Sequence, residues 1–394
     1  MLDIQTTIGD DLHAVLREAA AQGPTAIDGN SGAVVVLRHA EVERLAHNRR
    51  LAGVGLTLFD FMGIDDGPLR AWYGQLMFTN EGEHHHRLRS LVSRAFTPRA
   101  VERLRIDAAT QAKAALAPIA EAGRGDLVAA LALLPMRVMC RLIGVPEADV
   151  PVFAAWADAL SPIFGFMTPE QIEDANDAVE RLLAYFADLV AQRADDPASD
   201  LITALLAAEV DGSRLTHDEV VAMVANLLVG GHDTTASQLG CTVLTLVRHP
   251  EETARLRGQR SLVASAVNET IRYDPAIAFV PRTATEPTVV AGSAVDAGAL
   301  FLLCTAAANR EVGVWREPER FDVSRFTEPD APRLLTFGAG PHYCLGAALA
   351  RMTLEEAVAA VLDLGPLEPV GDPADVSWRL VLGRSPEHVL VDIG

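Results

Sequence analysis

Between positions 101 and 247 the chain is rich in Ala, Leu and Arg, and apolar residues recur at three- and four-residue spacing with few Gly or Pro interruptions. That spacing puts apolar side chains on one face of successive helices, so the middle of the chain is predicted to be a helical bundle. The stretch 201–208 reads as a short helix and Asp211-Gly212 as a turn. Thr216-His217-Asp218-Glu219 reads as a capping box that opens a long helix running towards Val247.

Strand signals flank the bundle at 33–37, 279–285, 288–290, 299–303, 378–382 and 388–391. The expected class is therefore segregated α+β, mainly α, a helical bundle with a small β-rich lobe. A final apolar helix follows Cys344 and stops at Gly365-Pro366. The 394 residues exceed the usual single core of about 250 to 300. With no linker, repeat or low-complexity tract in view, one large domain over 1–394 is expected.

A net charge of −20 and an aromatic share of 5% disfavour a nucleic-acid or anionic-membrane surface. No apolar run reaches the ~18 residues of a spanning helix, and the first ten residues lack a basic leader. Cys140, Cys241, Cys304 and Cys344 are scattered singly, which suits a reducing cytoplasm better than a disulfide scaffold.

Two segments carry chemistry. In Phe337-Gly338-Ala339-Gly340-Pro341-His342-Tyr343-Cys344-Leu345-Gly346 a lone Cys follows a Gly-rich turn and precedes a helix. The glycines allow close backbone approach to a flat ligand, and a helix N-terminus favours a thiolate, the form that ligates iron. A nucleotide-binding reading fails because Tyr343 stands where the third glycine belongs. The other three cysteines read as small core residues.

The second segment, Gly230-Gly231-His232-Asp233-Thr234-Thr235, places two glycines, an acid and hydroxyls in mid-helix. Small residues leave room beside the helix, and a Thr hydroxyl can bond back to a carbonyl and bend it. An acid beside a hydroxyl can pass protons through water to an oxygen. His84-His85-His86 invites a metal reading, but consecutive helical residues point about 100° apart and cannot grip one ion.

Together these motifs resemble those of the cytochrome P-450 family. The cysteine loop matches F-G-x-G-x-H-x-C-x-G, and Gly230–Thr235 matches the distal [AG]-G-x-[DE]-T-T. Glu269 and Arg272 match E-x-x-R, and Pro318-Glu319-Arg320-Phe321 matches P-E-R-F, followed by Asp322-x-x-Arg325. His85 and Arg89 fall where D-P-P-x-H-x-x-x-R has its His and Arg, although Glu81-Gly82-Glu83 replaces Asp-Pro-Pro and the three histidines leave the register open by one.

The resemblance implies haem b with Cys344 as its proximal iron ligand, and Phe337, Gly338 and Gly346 around it. His85, Arg89, Arg282 and His342 are the implied propionate contacts. Asp233 inherits proton relay and Thr234 its positioning, while His232, at the variable position, is structural. Glu269, Arg272 and Arg320 form the implied scaffold of the pocket.

The implied reaction is insertion of one oxygen atom of O₂ into a hydrophobic small molecule, with hydroxylation the expected outcome. Electrons come from NAD(P)H through a separate ferredoxin and its reductase, or a flavodoxin-type donor. The chain itself shows no flavin motif, and its four scattered cysteines cannot hold a cluster. Arg94, Arg99 and Arg351 are candidate docking residues for the donor, on a chain expected to be a monomer. Phe59, Phe61, Phe164 and Phe166 are candidate pocket walls. Alternatives are a peroxide-driven peroxygenase, which would not need the Asp233-Thr234 pair, and a haem-based carrier or sensor.

Overall fold

The computed structural model describes residues 2–4, 9, 11–380 and 383–394, with Phe164 described by its backbone alone. Five helices form the first part of the bundle: α1 (Gly82–Ala95), α2 (Arg105–Ala122), α3 (Leu134–Ile143), α4 (Val150–Leu160) and α5 (Pro169–Asp195). The 32-residue α6 (His217–Arg248) follows, then α7 (Val263–Tyr273) and α8 (Ala347–Asp363).

The capping box of α6 forms as the sequence predicts. Glu219 N–H donates to Thr216 Oγ1 at 3.2 Å, and Thr216 N–H donates to a Glu219 carboxylate oxygen at 2.9 Å. Two orphan donors of the first turn are thereby satisfied, a contribution of about 1 kcal/mol. Helices α3, α4, α5, α7 and α8 all pack on α6. Between 220 and 247 its residues are accordingly buried, with the exception of Val221, Leu227, Gly230, Gly231 and Thr234. The last four recur at helical spacing and mark one open stripe at the middle of the helix.

The β-rich lobe is a five-stranded sheet of β1 (Thr25–Ile27), β2 (Val34–Val36), β3 (Leu51–Ala52), β4 (Phe279–Ala284) and β5 (Leu300–Cys304), in the order β1-β2-β5-β4-β3. Strands β2 and β5 run parallel, pairing Val35 with Leu302, and the other pairs are antiparallel. Val36, Leu51, Ala284, Phe301 and Leu303 build a core of their own beneath it. This lobe carries Arg282 on β4.

Some boundaries differ from expectation. The strand expected at 299–303 lies one residue later, and that expected at 388–391 lies at Leu390–Ile393; each ends where its partner ends, because ladder pairing overrides local propensity. The strand expected at 378–382 is Trp378–Leu380, with 381 and 382 outside the described residues. Asp211-Gly212 is the tip of a hairpin, both residues at positive φ, joining two-residue strands at Glu209–Val210 and Ser213–Arg214. Runs that short carry no alternation in sequence.

Candidate functional site

The cysteine loop folds back on itself before α8 begins. Cys344 N–H donates to Phe337 O at 2.9 Å, and Gly338 N–H donates to Leu335 O at 2.8 Å. Gly338 and Gly340 hold φ of 73° and 68°, a left-handed conformation that side chains resist. At Gly340 a Cβ would stand 2.5 Å from Ala46 O. That glycine is therefore required by packing against the helix His39–Ala46, where the sequence suggested approach to a ligand.

Cys344 is exposed, whereas Cys140, Cys241 and Cys304 are buried. Even so, the surrounding protein pushes the Cys344 thiol upward against the N–H groups of Gly346 and Ala347 and the charges of Arg89 and Arg351. The helix N-terminus acts in the expected direction and desolvation outweighs it. A coordinating metal would deprotonate the thiol outright.

Around the loop, α1 brings His85 and Arg89, and β4 brings Arg282. Arg89 donates to Tyr343 O at 2.6 Å, tying α1 to the residue before the cysteine. The His85 and His342 rings lie 4.2 Å apart, tilted by 35°. His85 Nε2 is buried with no hydrogen-bond partner, and burial, followed by the charge of His342, pushes this histidine down to about 4. Arg282 donates to its neighbour's carbonyl, Pro281 O, at 2.9 Å. A cavity of about 600 Å³ is lined by His85, Arg282 and His342, together with Glu81. Glu81 accepts from His342 Nε2 at 2.9 Å, a contact absent from the sequence reading. Among the described residues the three histidines form no metal cluster.

On α6, Thr234 Oγ1 donates to Gly230 O at 2.8 Å, the back-bond expected of a mid-helix hydroxyl. The two glycines have different reasons. A Cβ at Gly230 meets nothing within 4 Å, whereas one at Gly231 would stand 2.9 Å from Met139 Sδ on α3. Gly230 thus keeps the open stripe open, and Gly231 lets α3 pack closely. Asp233 is buried and points about 100° around the helix from Thr234. His232 is buried, its Nε2 lying 3.6 Å from Asp158 on α4.

The family model of cytochrome P-450 matches residues 152–386. The cyclomarin C epoxidase CymV of Salinispora arenicola is 40% identical over 295 residues, 74% of this chain and 74% of the relative. The nocardicin C N-oxygenase of Nocardia uniformis subsp. tsuyamanensis is 39% identical over 322 residues, 80% and 78% of the two chains. The solved structure of CalO2 superposes with a TM-score of 0.90 at 27% identity, covering 98% of this chain and 96% of that one. This chain belongs to the cytochrome P-450 family.

It is a monooxygenase of that family, which implies a haem-thiolate cofactor and the use of O₂. The cytochrome P-450 residues present fit such a group on three counts. The open stripe on α6 leaves room beside Gly230 for a flat ligand, the motif cysteine is the exposed one, and the unpartnered imidazole nitrogen of His85 stands within electrostatic reach of Arg89 and shares a cavity with Arg282, where a carboxylate would be received.

The scaffold of this cytochrome P-450 differs from expectation in one member. Glu269 and Arg272 are fully buried and paired in bidentate fashion, Arg272 Nε to Oε2 at 2.6 Å and Nη2 to Oε1 at 2.8 Å. The third side chain is Arg325, whose Nε lies 3.0 Å from both carboxylate oxygens. The Arg320 side chain points outward to Glu317 at 3.5 Å and contributes to the network only its carbonyl, which receives Arg272 and Arg325. The Asp322-x-x-Arg325 element was the sequence signal for this role. A loop without periodicity gives no means of choosing between two arginines five residues apart.

Proposed function

We propose that this chain binds haem b through the Cys344 thiolate and inserts one oxygen atom of O₂ into a hydrophobic small molecule, hydroxylation being the expected outcome. When bound, the haem supplies reductive activation of O₂, one atom passing to substrate and the other leaving as water. The chain's own part is to bind, orient and deliver protons. His85, Arg89, Arg282 and His342 receive the two propionates, with Arg suited to bidentate carboxylate contact. Phe337, held under the Arg351 guanidinium at 4.4 Å from its ring centre, packs beside the thiolate. Gly338 and Gly346 flank it.

Thr234, on the open stripe, positions water and O₂ beside the Gly230 carbonyl, and Asp233 relays protons to it through solvent. Of the candidate pocket walls, Phe59 is fully buried against Tyr73 and belongs to the core. Phe61 and Phe166 are exposed and meet edge to face at 5.8 Å, which suits a mouth between the short helix Thr57–Phe61 and the loop that bears Phe166. Phe164 has no described side chain. Electrons arrive from NAD(P)H through a ferredoxin and its reductase, or a flavodoxin-type donor, docking at the exposed Arg94 and Arg99. The half-buried Arg351, which also contacts Phe337 and Asn268, completes this candidate docking patch. No described helix is long and apolar enough to cross a membrane.

The observation that carries this reading is a single exposed cysteine in a loop bonded back to Phe337 and tied by Arg89 to α1. The test is the spectrum of the dithionite-reduced, carbon-monoxide-bound protein beside Cys344→Ala. A strongly red-shifted Soret band in the wild type, lost in the variant, is the expected result. Its absence from folded, haem-loaded wild type would overturn the reading.

A further inference from the structure

Glu81 stands at the start of α1, where the sequence departs from the family's Asp-Pro-Pro. As the residue preceding the helix it should cap it, yet its side chain makes no capping hydrogen bond. A glutamate is one methylene too long for the usual cap geometry, in which short side chains lead. The carboxylate reaches instead in two directions. One oxygen accepts from Gly53 N–H at 3.0 Å, and the other from His342 Nε2 at 2.9 Å. Gly53 itself cannot carry a side chain, since a Cβ there would stand 2.9 Å from Phe78 O. Its backbone is thereby free to come close.

Of the four side chains assigned to the propionates, Arg89 and Arg282 donate to backbone carbonyls and His85 Nε2 is unpartnered. Glu81 is the one carboxylate among the described residues hydrogen-bonded to any of the four, and it also faces Arg282 electrostatically. It stands where a propionate would otherwise have those partners to itself.

Resting on the haem-thiolate reading, we propose that Glu81 is a positioning residue that sets the reduction potential: its carboxylate, clamped between Gly53 and His342, competes with a propionate for His342 and Arg282 and holds a negative charge at the edge of the ring. Two effects act in the same direction. The charge itself opposes addition of an electron, and the partners it occupies neutralise the propionates less completely. Both keep the ferric state favoured.

Glu81→Gln removes the charge and retains the shape. In the haem-loaded protein, spectroelectrochemical titration is expected to show the equilibrium constant for one-electron reduction rising about fivefold, roughly 40 mV at 59 mV per tenfold. Loss of haem to an excess of an apo-globin acceptor is expected to slow severalfold. Glu83→Gln is the control: Glu83 lines the same cavity and bonds none of the four side chains, so it should move the potential far less. An unchanged potential in Glu81→Gln, or an equal shift in Glu83→Gln, overturns the proposal alone, provided the wild type shows its carbon-monoxide band. Absence of that band overturns the haem-thiolate reading and this proposal with it.

Discussion

Replacing Arg325 by Ala should destabilise the protein far more than replacing Arg320. The Glu269 carboxylate is fully buried and accepts from Arg272, Arg325 and the backbone N–H of Asp322. Removing Arg325 strips the carboxylate of one of its two cations. It also removes the donor that Arg325 supplies to the carbonyls of Arg316, Glu317 and Arg320, at 2.6, 3.3 and 2.8 Å, although the Arg320 carbonyl keeps a second donor in Arg272. Breaking a buried ion pair costs roughly 3 to 5 kcal/mol, and because Arg272 remains, about 3 kcal/mol is expected. For a chain of 394 residues the unfolding entropy is about 0.8 kcal/mol per degree, so the melting midpoint should fall by roughly 4 °C.

Arg320→Ala removes an exposed pair with Glu317 and keeps the carbonyl that matters, so its effect should stay under about 0.5 kcal/mol. Scanning calorimetry of wild type and both variants measures the two shifts side by side. Equal shifts, or a larger one for Arg320→Ala, would refute the assignment of Arg325 as the third member.

Two further outcomes follow from burial and packing. His13 Nε2 donates to Asp274 at 3.1 Å, and burial, then the nearby Arg310, lowers this histidine from 6.5 to about 4. The unfolded chain therefore binds the extra proton between those values, and stability should fall as pH drops from 6.5 towards 4, by roughly 3 kcal/mol in total. His13→Gln, which keeps a donor and cannot titrate, should flatten the slope in urea midpoints taken across that window; an unaltered slope would count against it. On α6, Gly230→Ala should gain up to about 1 kcal/mol from helix propensity while narrowing the open stripe, so stability rises as turnover falls. Gly231→Ala should show no such gain, because its Cβ meets Met139. Thermal midpoints and product yield of the pair separate the two glycines, and matching midpoints would contradict the distinction.

Much of the site is local in sequence and was legible there. The pairing of Glu269 with Arg272 needs one turn of helix, and a cysteine at the eighth position of a ten-residue glycine-bearing loop before a helix needs nothing beyond its neighbours. The α6 capping box is likewise contained in four residues. For the same reason the helical bundle could be read from periodicity, since each helix announces its own buried face.

What lay beyond the sequence involves partners far apart along the chain. Arg325 rather than Arg320 meets Glu269 because of the path taken by a loop without periodicity. Glu81 leaves its own helix for His342, 261 residues away, and Gly231 answers to Met139 on another helix. The Cys344 thiol shows the same division. A helix N-terminus that favours the thiolate is visible in the sequence, whereas the desolvation that outweighs it comes from protein packed around the loop and exists only once the chain has folded.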